Sequence, residues 1–256
     1  MIHDAVLLHG QPGGPLDWVA VRRELPDDLR PFVPDRPGYG HNPAPPAGLA
    51  DNADDILRQL DALEIERVVV AGHSWGGGVA IAMAERYPDR VRGLVLIASI
   101  GPHCLVPLDH LLGAPMLGEA LSYISLHLAG PFIRRRIRRS AAGTLSDADR
   151  LAVEEHFLAN RRRRLWRTFL VEQRAMLREL DILDGALASL TLPTIVLAGT
   201  ADKIVPPRTA RALAEAIPGA ELRMVNGANH YLPRHRGDVV ARAICDVAKA
   251  ACDSHA

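Results

Sequence analysis

Short apolar runs alternate with amphipathic segments over most of the 256-residue chain. Apolar runs bounded by glycine, proline or polar residues indicate buried strands, and apolar spacings of three and four indicate helices. The predicted strands lie at 5–9, 30–34, 67–73, 91–99, 192–199 and 220–225, and the predicted helices at 15–25, 49–63, 78–88, 207–216 and 237–252. This alternation predicts an α/β fold, with a mainly parallel sheet and helices on both of its faces.

The alternation stops between residues 103 and 186, where only helical periodicity is found. We therefore predict a core formed by 1–102 and 187–256, into which 103–186 is inserted as a helical cap. Residues 105–133 carry few charges, but acidic residues, prolines and glycines interrupt them, so no membrane span is expected. Residues 105–133 are more typical of a lid over an apolar pocket than of a membrane span.

Composition and charge restrict the function classes. The formal net charge is zero and hydrophobic residues make up 48% of the chain, which is ordinary for a globular domain and does not favour a nucleic-acid partner. The three cysteines fit no metal motif, and the first ten residues do not resemble a signal peptide. We expect a cytoplasmic protein without a bound metal; a homo-oligomer is possible but nothing indicates one.

The stretch GHSWGGG at 72–78 places Ser74 between glycines, directly after a predicted strand and before a helix. Gly72 and Gly76 complete the pattern G-x-S-x-G, in which a sharp strand-to-helix turn exposes the serine hydroxyl above the sheet. The helix N-terminus then favours negative charge near that oxygen. The pattern alone is weak, because a glycine-rich turn with an incidental serine has the same letters.

Two residues that could activate a serine follow later strands. Asp202 lies in LAGTADKIVPP after one strand, and His230 lies in VNGANHYLP after the next. Serine needs an imidazole to take its proton, and a carboxylate to orient that imidazole. The chain order Ser74, Asp202, His230 fits this arrangement, although a turn or helix-cap role remains open for the aspartate.

The loop HGQPGG at 9–14 is the candidate source of an oxyanion hole. Backbone N–H groups of Gln11 and Trp75 are expected to stabilise a developing oxyanion, with His9 as a structural support for the loop. The side chains of Trp75, Leu112 and Tyr231 are predicted to line the substrate pocket beneath the lid.

HGQPGG, DRPGYG at 35–40, GHSWGG, GTADKIVP and GANHYLP together resemble the α/β-hydrolase superfamily, in its capped group of serine esterases, C–C hydrolases and cofactor-free haloperoxidases. Ser74 argues against the related dehalogenases and epoxide hydrolases, which use aspartate. The resemblance implies no cofactor, and a DRPGYG turn, with Asp35 and Arg36, that supports the HGQPGG loop. Such proteins usually begin with an antiparallel hairpin. It is missing here, which predicts a six-stranded sheet or a start codon assigned too late.

The expected function is a serine hydrolase that cleaves a small, largely apolar ester, thioester or lactone through an acyl-enzyme. Two alternatives stay open. One is a C–C bond hydrolase that uses the same catalytic triad of Ser74, Asp202 and His230, and the other is a ligand-binding or lyase-like protein that retains this triad. Arginine-rich stretches at 134–139 and 161–167 are interpreted as a solvated helix face, favoured by nearby acids such as Glu172 and Glu179. The other readings are a clamp for a substrate carboxylate or phosphate, or contact with an anionic surface.

Overall fold

The computed structural model describes residues 3–128 and 165–253, and six parallel strands form one sheet in it. The strands are β1 (His3–Leu8), β2 (Leu29–Phe32), β3 (Val68–His73), β4 (Val91–Ile97), β5 (Thr194–Gly199) and β6 (Glu221–Val225). Their order across the sheet is β2-β1-β3-β4-β5-β6. All six predicted strands are therefore confirmed, and the predicted mainly parallel sheet is entirely parallel.

Helices connect the strands and cover the sheet. They are α1 (Val19–Glu24), α2 (Leu49–Ala62), α3 (Trp75–Arg86), α4 (Pro107–Gly113), α5 (Leu117–Leu128), α6 (Leu165–Ala186), α7 (Pro207–Ala216), α8 (Leu232–His235) and α9 (Gly237–Asp253). Short 3-10 turns at Pro15–Trp18 and Leu187–Ser189 precede α1 and follow α6. The short helix α8 was not predicted, because four residues contain too little periodicity to reveal a helix.

Alternating side chains of the buried strands form two hydrophobic clusters. Val6 and Leu8 of β1 belong to the cluster that α2, α3 and α7 share, whereas Ala5 and Leu7 belong to the cluster under α1 and α9. Successive strand residues point to opposite faces, so a continuous apolar strand is stable only when both faces are covered. This is the arrangement that the unbroken apolar runs predicted.

The chain reverses its direction of winding between β1 and β3. It pairs β2 on one side of β1 and then returns to place β3 on the other side. The connections that leave the carboxyl ends of β1 and β3 consequently diverge, and a crevice opens at such a switch point. The HGQPGG loop and Ser74 follow these two strands.

The helix after Ser74 packs closely on the sheet because several positions lack a Cβ atom. A Cβ on Gly72 would lie 2.3 Å from the Gly76 carbonyl oxygen, and one on Gly76 would lie 2.4 Å from that of Leu8. The helix begins at Trp75 instead of the predicted 78, because the glycines that suggest a loop by propensity are required here by this close approach.

In the predicted cap 103–186, all regular elements of the described residues are helical: α4, α5 and α6. These helices pack on one another, and α6 also contacts α2 and α3 of the core. The arginine-rich stretch 134–139 lies outside the described residues, as does most of 161–167. No helix in the described ranges combines the length and apolar character that a bilayer crossing requires.

We expect Gly72→Ala to lower the free energy of unfolding by about 1–3 kcal/mol, because its methyl group would overlap backbone that cannot move independently. Gly185→Ala is the matched control: this α6 residue is exposed, nothing lies within 4 Å of its Cβ position, and alanine favours a helix. Urea denaturation of both variants measures the difference. Equal stabilities would contradict the close approach.

Candidate active site

Ser74 occupies the sharp turn between β3 and α3. Its backbone angles are φ 55° and ψ −121°, a left-handed conformation that L-residues adopt at a cost of about 1–3 kcal/mol. The Ser74 carbonyl accepts N–H groups from Gly77 at 2.9 Å and Ile100 at 3.2 Å, which hold the turn. The strained backbone is the geometry expected of a serine presented above a parallel sheet.

Asp202 and His230 form a buried hydrogen-bonded pair at the same edge of the sheet. His230 Nδ1 lies 2.8 Å from Asp202 Oδ2. The other carboxylate oxygen accepts the backbone N–H groups of Ile204 at 2.8 Å and Val205 at 3.0 Å. An ionised carboxylate accepts only, so Nδ1 donates and Nε2 is left as the basic nitrogen. Within the described ranges, no cluster of histidine, cysteine, aspartate and glutamate is arranged to hold a metal ion.

His73 connects the serine turn to the histidine loop. Its Nε2 lies 2.9 Å from the His230 carbonyl oxygen, and the two imidazole rings are 4.9 Å apart. Ser74 follows directly in the chain. The structure thus brings the ends of β3 and β6 together, although no hydrogen bond joins the Ser74 hydroxyl to His230 among the described residues. Such bonds are often long before substrate binds.

The HGQPGG loop lies against Ser74. A Cβ atom on Gly10 would be 3.0 Å from the Ser74 Cβ, so a side chain there would crowd the serine. The Gln11 side chain points to the predicted cap, where its Nε2 donates to the Phe169 carbonyl at 2.7 Å. The backbone of Gln11 therefore lies in a loop that is fixed beside the serine turn.

The three predicted pocket side chains lie in different surroundings. Trp75 is buried, and its Nε1 donates to the backbone carbonyl of Glu172 at 3.3 Å. Tyr231 is 40% exposed, with its ring 5.5 Å from that of His230. Leu112 is half-buried in α4. Their contact with a substrate stays a prediction.

A completely buried arginine lies beneath the loop, in surroundings that the sequence pattern does not reveal. Arg36 Nε donates to the His9 carbonyl at 3.0 Å, and Nη2 donates to the Gly10 carbonyl at 2.9 Å. Its Nη1 forms a short ion pair with Glu172 of α6, whose Oε2 accepts the Tyr39 hydroxyl at 2.6 Å. The support that DRPGYG was expected to give the loop is thus present.

Glu172 does not have the role expected of it from the sequence. As an acid near the arginine-rich stretches it is expected to favour a solvated face, yet its side chain is fully buried, and burial raises the pKa of its carboxyl group while Arg36 opposes that rise. The two residues are 136 positions apart, so local sequence gave no signal for the pairing. Glu179 also turns inward and accepts the Leu49 N–H at 2.7 Å.

A second ion pair joins the same loop to the histidine segment. The Arg234 guanidinium donates to Asp17 Oδ1, with Nε at 2.8 Å, and the Gly14 N–H donates to Asp17 Oδ2 at 3.3 Å. Arg234 also lies over the Tyr231 ring, 5.3 Å from its centroid. The loop is therefore held from both ends by charged side chains.

Burial and the neighbouring His230 lower the pKa of His73 to about 4. A histidine in the unfolded chain binds its proton near pH 6.5, so between these values the unfolded state holds more protons. Stability should therefore fall as the pH drops from 6.5 to 4, by up to about 3 kcal/mol from this group.

We expect His73→Gln to show a weaker decline in the free energy of unfolding over this window, measured by urea denaturation at several pH values. The exposed His235 provides the control, since His235→Gln should keep the wild-type slope. Parallel pH curves for wild type and His73→Gln would disprove the assignment.

Comparisons with known proteins agree with this fold. The model of the alpha/beta hydrolase family matches residues 5–243. A pimeloyl-acyl-carrier-protein methyl ester esterase of Aromatoleum aromaticum is 31% identical, over 89% of this chain and 90% of that protein. A 2-hydroxymuconate semialdehyde hydrolase of Pseudomonas sp. strain CF600 is 29% identical, over 88% and 80%.

Among solved structures, a thermophilic esterase from Thermogutta terrifontis superimposes with a TM-score of 0.73 at 26% identity, covering 97% of this chain and 90% of that one. These matches confirm both the resemblance found in the motifs and the predicted fold class. With a family match that spans nearly its whole length, the chain belongs to the alpha/beta hydrolase family.

Proposed function

We propose that the protein is a serine hydrolase in which Ser74 is the nucleophile, His230 the general base and Asp202 the residue that orients His230. The observation that carries the proposal is the buried Asp202–His230 pair at 2.8 Å, at the sheet edge where Ser74 lies in a strained turn. The fixed Nδ1–H tautomer leaves Nε2 free to accept a proton, which is what a serine nucleophile needs.

In the proposed reaction, Ser74 Oγ attacks the substrate carbonyl while His230 Nε2 takes its proton. The backbone N–H groups of Gln11 and Trp75 stabilise the oxyanion, and His230 then returns the proton to the leaving group. Water hydrolyses the resulting acyl-enzyme in the reverse sequence. Asp202 keeps His230 oriented throughout, because the two backbone N–H groups that its second oxygen accepts hold the carboxylate in place.

For the substrate we propose a small, largely apolar ester, thioester or lactone, without a cofactor. The esterases among the similar proteins support this class. Leu112 and Tyr231 are proposed pocket residues, with Trp75 shaping the site from below. A cytoplasmic location is proposed as well, since the sequence has three cysteines, an odd number, whose spacing fits no metal motif.

C–C bond hydrolysis is the second candidate, favoured by the similarity to 2-hydroxymuconate semialdehyde hydrolase. The two activities need the same nucleophile and base, so the substrate separates them. Turnover of p-nitrophenyl butyrate should exceed that of a vinylogous β-diketone by at least tenfold if the ester class is correct. The reverse order would favour C–C cleavage, and tight binding without turnover of either would favour a ligand-binding protein.

A fluorophosphonate probe should label Ser74, and Ser74→Ala should abolish labelling. The reason is that the probe captures a serine activated by a neighbouring base. Ser99→Ala is the matched control, since Ser99 is buried close to Gly77 of α3 and its loss should leave labelling intact. Peptide mapping that finds the label elsewhere would contradict the nucleophile assignment.

Asp202→Asn should fold normally and lose about 10³–10⁴-fold in kcat, because an amide would hold the imidazole in the wrong tautomer. Asp238→Asn, at an exposed aspartate in the first turn of α9, should retain full activity. The measurement is ester hydrolysis with circular dichroism as the folding check. A loss below tenfold in folded Asp202→Asn would exclude this carboxylate.

A further inference from the structure

The proposed oxyanion donor at Gln11 belongs to a peptide group whose other end is held by a buried cation. The Gly10 carbonyl accepts Arg36 Nη2 at 2.9 Å, and His9 Nδ1 lies 3.0 Å from the same oxygen. His9 Nε2 in turn lies 3.4 Å from the Arg36 N–H, which makes Nδ1 the donor. Both lone pairs of the carbonyl oxygen are thereby used.

These contacts determine the direction of the Gln11 N–H. The Gly10–Gln11 peptide is trans, so its C=O and N–H lie in one plane and point in opposite directions. When Arg36 and His9 fix the carbonyl, they direct the N–H away from the guanidinium. Because Gly10 lies against Ser74, this peptide group begins beside the proposed nucleophile.

The guanidinium is itself held by α6 of the predicted cap. Glu172 is fully buried and pairs with Arg36, and the guanidinium carbon lies 4.6 Å from the Trp75 ring centroid and 4.8 Å from that of Tyr39. A buried ion is costly once its partner is removed, so this arrangement persists only with α6 in place.

The same helix also contacts the side chains of both residues whose backbone N–H groups are the proposed oxyanion donors. The Phe169 carbonyl accepts the Gln11 side chain at 2.7 Å, and the Glu172 carbonyl accepts the Trp75 indole at 3.3 Å. Thus α6 contacts Gln11 through the Gln11 side chain and, indirectly, through Arg36, and it contacts Trp75 through the indole ring.

We propose that Arg36 and Glu172 are positioning residues that set the direction of the Gln11 N–H. Because Glu172 belongs to α6, the geometry of the oxyanion hole then depends on the packing of α6 against the core. The inference rests on the proposed serine hydrolase function. Neither residue touches the reacting atoms; both act through the Gly10–Gln11 peptide.

The test compares Arg36→Lys with Arg90→Lys. Arg90 is a matched control, since it also binds backbone carbonyls, those of Ile65 and Glu66, and a carboxylate, that of Asp61. It lies near the amino end of β3, far along the strand from Ser74. A lysine cannot satisfy all the acceptors of Arg36, so the Gly10 carbonyl is held less firmly, with His9 as its remaining fixed donor.

We expect kcat per active site for p-nitrophenyl butyrate to fall about 10- to 100-fold in Arg36→Lys, below the 10²–10³-fold cost of deleting an oxyanion donor. KM should change less than about threefold, since ground-state binding is not affected. The inhibition constant of an alkyl trifluoromethyl ketone, which forms an anionic adduct, should rise by the factor that kcat/KM loses. Arg90→Lys should match wild type.

Glu172→Gln provides the second variant and decides the test if Arg36→Lys does not fold. It retains the shape of the side chain while removing its charge, and we expect the same parallel loss in kcat and inhibitor affinity, by at least about fivefold. Active sites are counted by fluorophosphonate titration. A structural role alone would lower their number and leave kcat per site and inhibitor affinity within twofold, which would overturn the proposal.

The two proposals fail in different ways. A wild-type protein that neither hydrolyses the ester nor labels at Ser74 would overturn the hydrolase function, and the positioning role with it. A wild-type protein with serine-dependent activity, accompanied by Arg36 and Glu172 variants of unchanged kcat, would overturn the positioning role alone.

Discussion

The contact between the first turn of α3 and the ends of β1 and β3 is the constraint on which the rest of the structure depends. With no Cβ at Gly72 and Gly76, the backbone of this turn reaches the carbonyl groups of Leu8 and His9. That approach forces Ser74 into its left-handed conformation and places the HGQPGG loop beside it. A bulkier residue would separate the helix from the sheet and the serine from its surroundings.

The buried charged residues of this protein determine the positions of the groups around them more than they increase the stability of the fold. A buried ion pair gains little over a well-packed apolar pair, yet its directional bonds select one arrangement of the groups around it. Arg36 shows this, because it donates to two consecutive carbonyls and to Glu172 while its faces contact aromatic rings. Asp17 and Arg234 act similarly at the other end of the loop. The loop is ordered by side chains from three separate regions of the chain.

Sequence patterns predicted the strands, the sheet type and the pairing of Asp202 with His230, because each depends on residues close to the end of a recognisable strand. All parallel strands present their carboxyl ends at one edge, so the positions of these residues followed from the alternation. The environment of Arg36 could not be predicted from the sequence, since its partner Glu172 lies on α6, and the local pattern of α6 does not show which of its polar residues face the core. The start of α3 was also missed, because tertiary contact overrides the low helix propensity of glycine.

The ion pair between Asp17 and Arg234 joins residues 217 positions apart, and His230 belongs to the same late segment of the chain as Arg234. During synthesis the Ser74 turn and the HGQPGG loop emerge from the ribosome long before His230 does. A nascent chain that ends before residue 230 contains Ser74 but lacks the histidine that is proposed to activate it. The order of translation therefore delays the assembly of this site until the sheet has received its last strand.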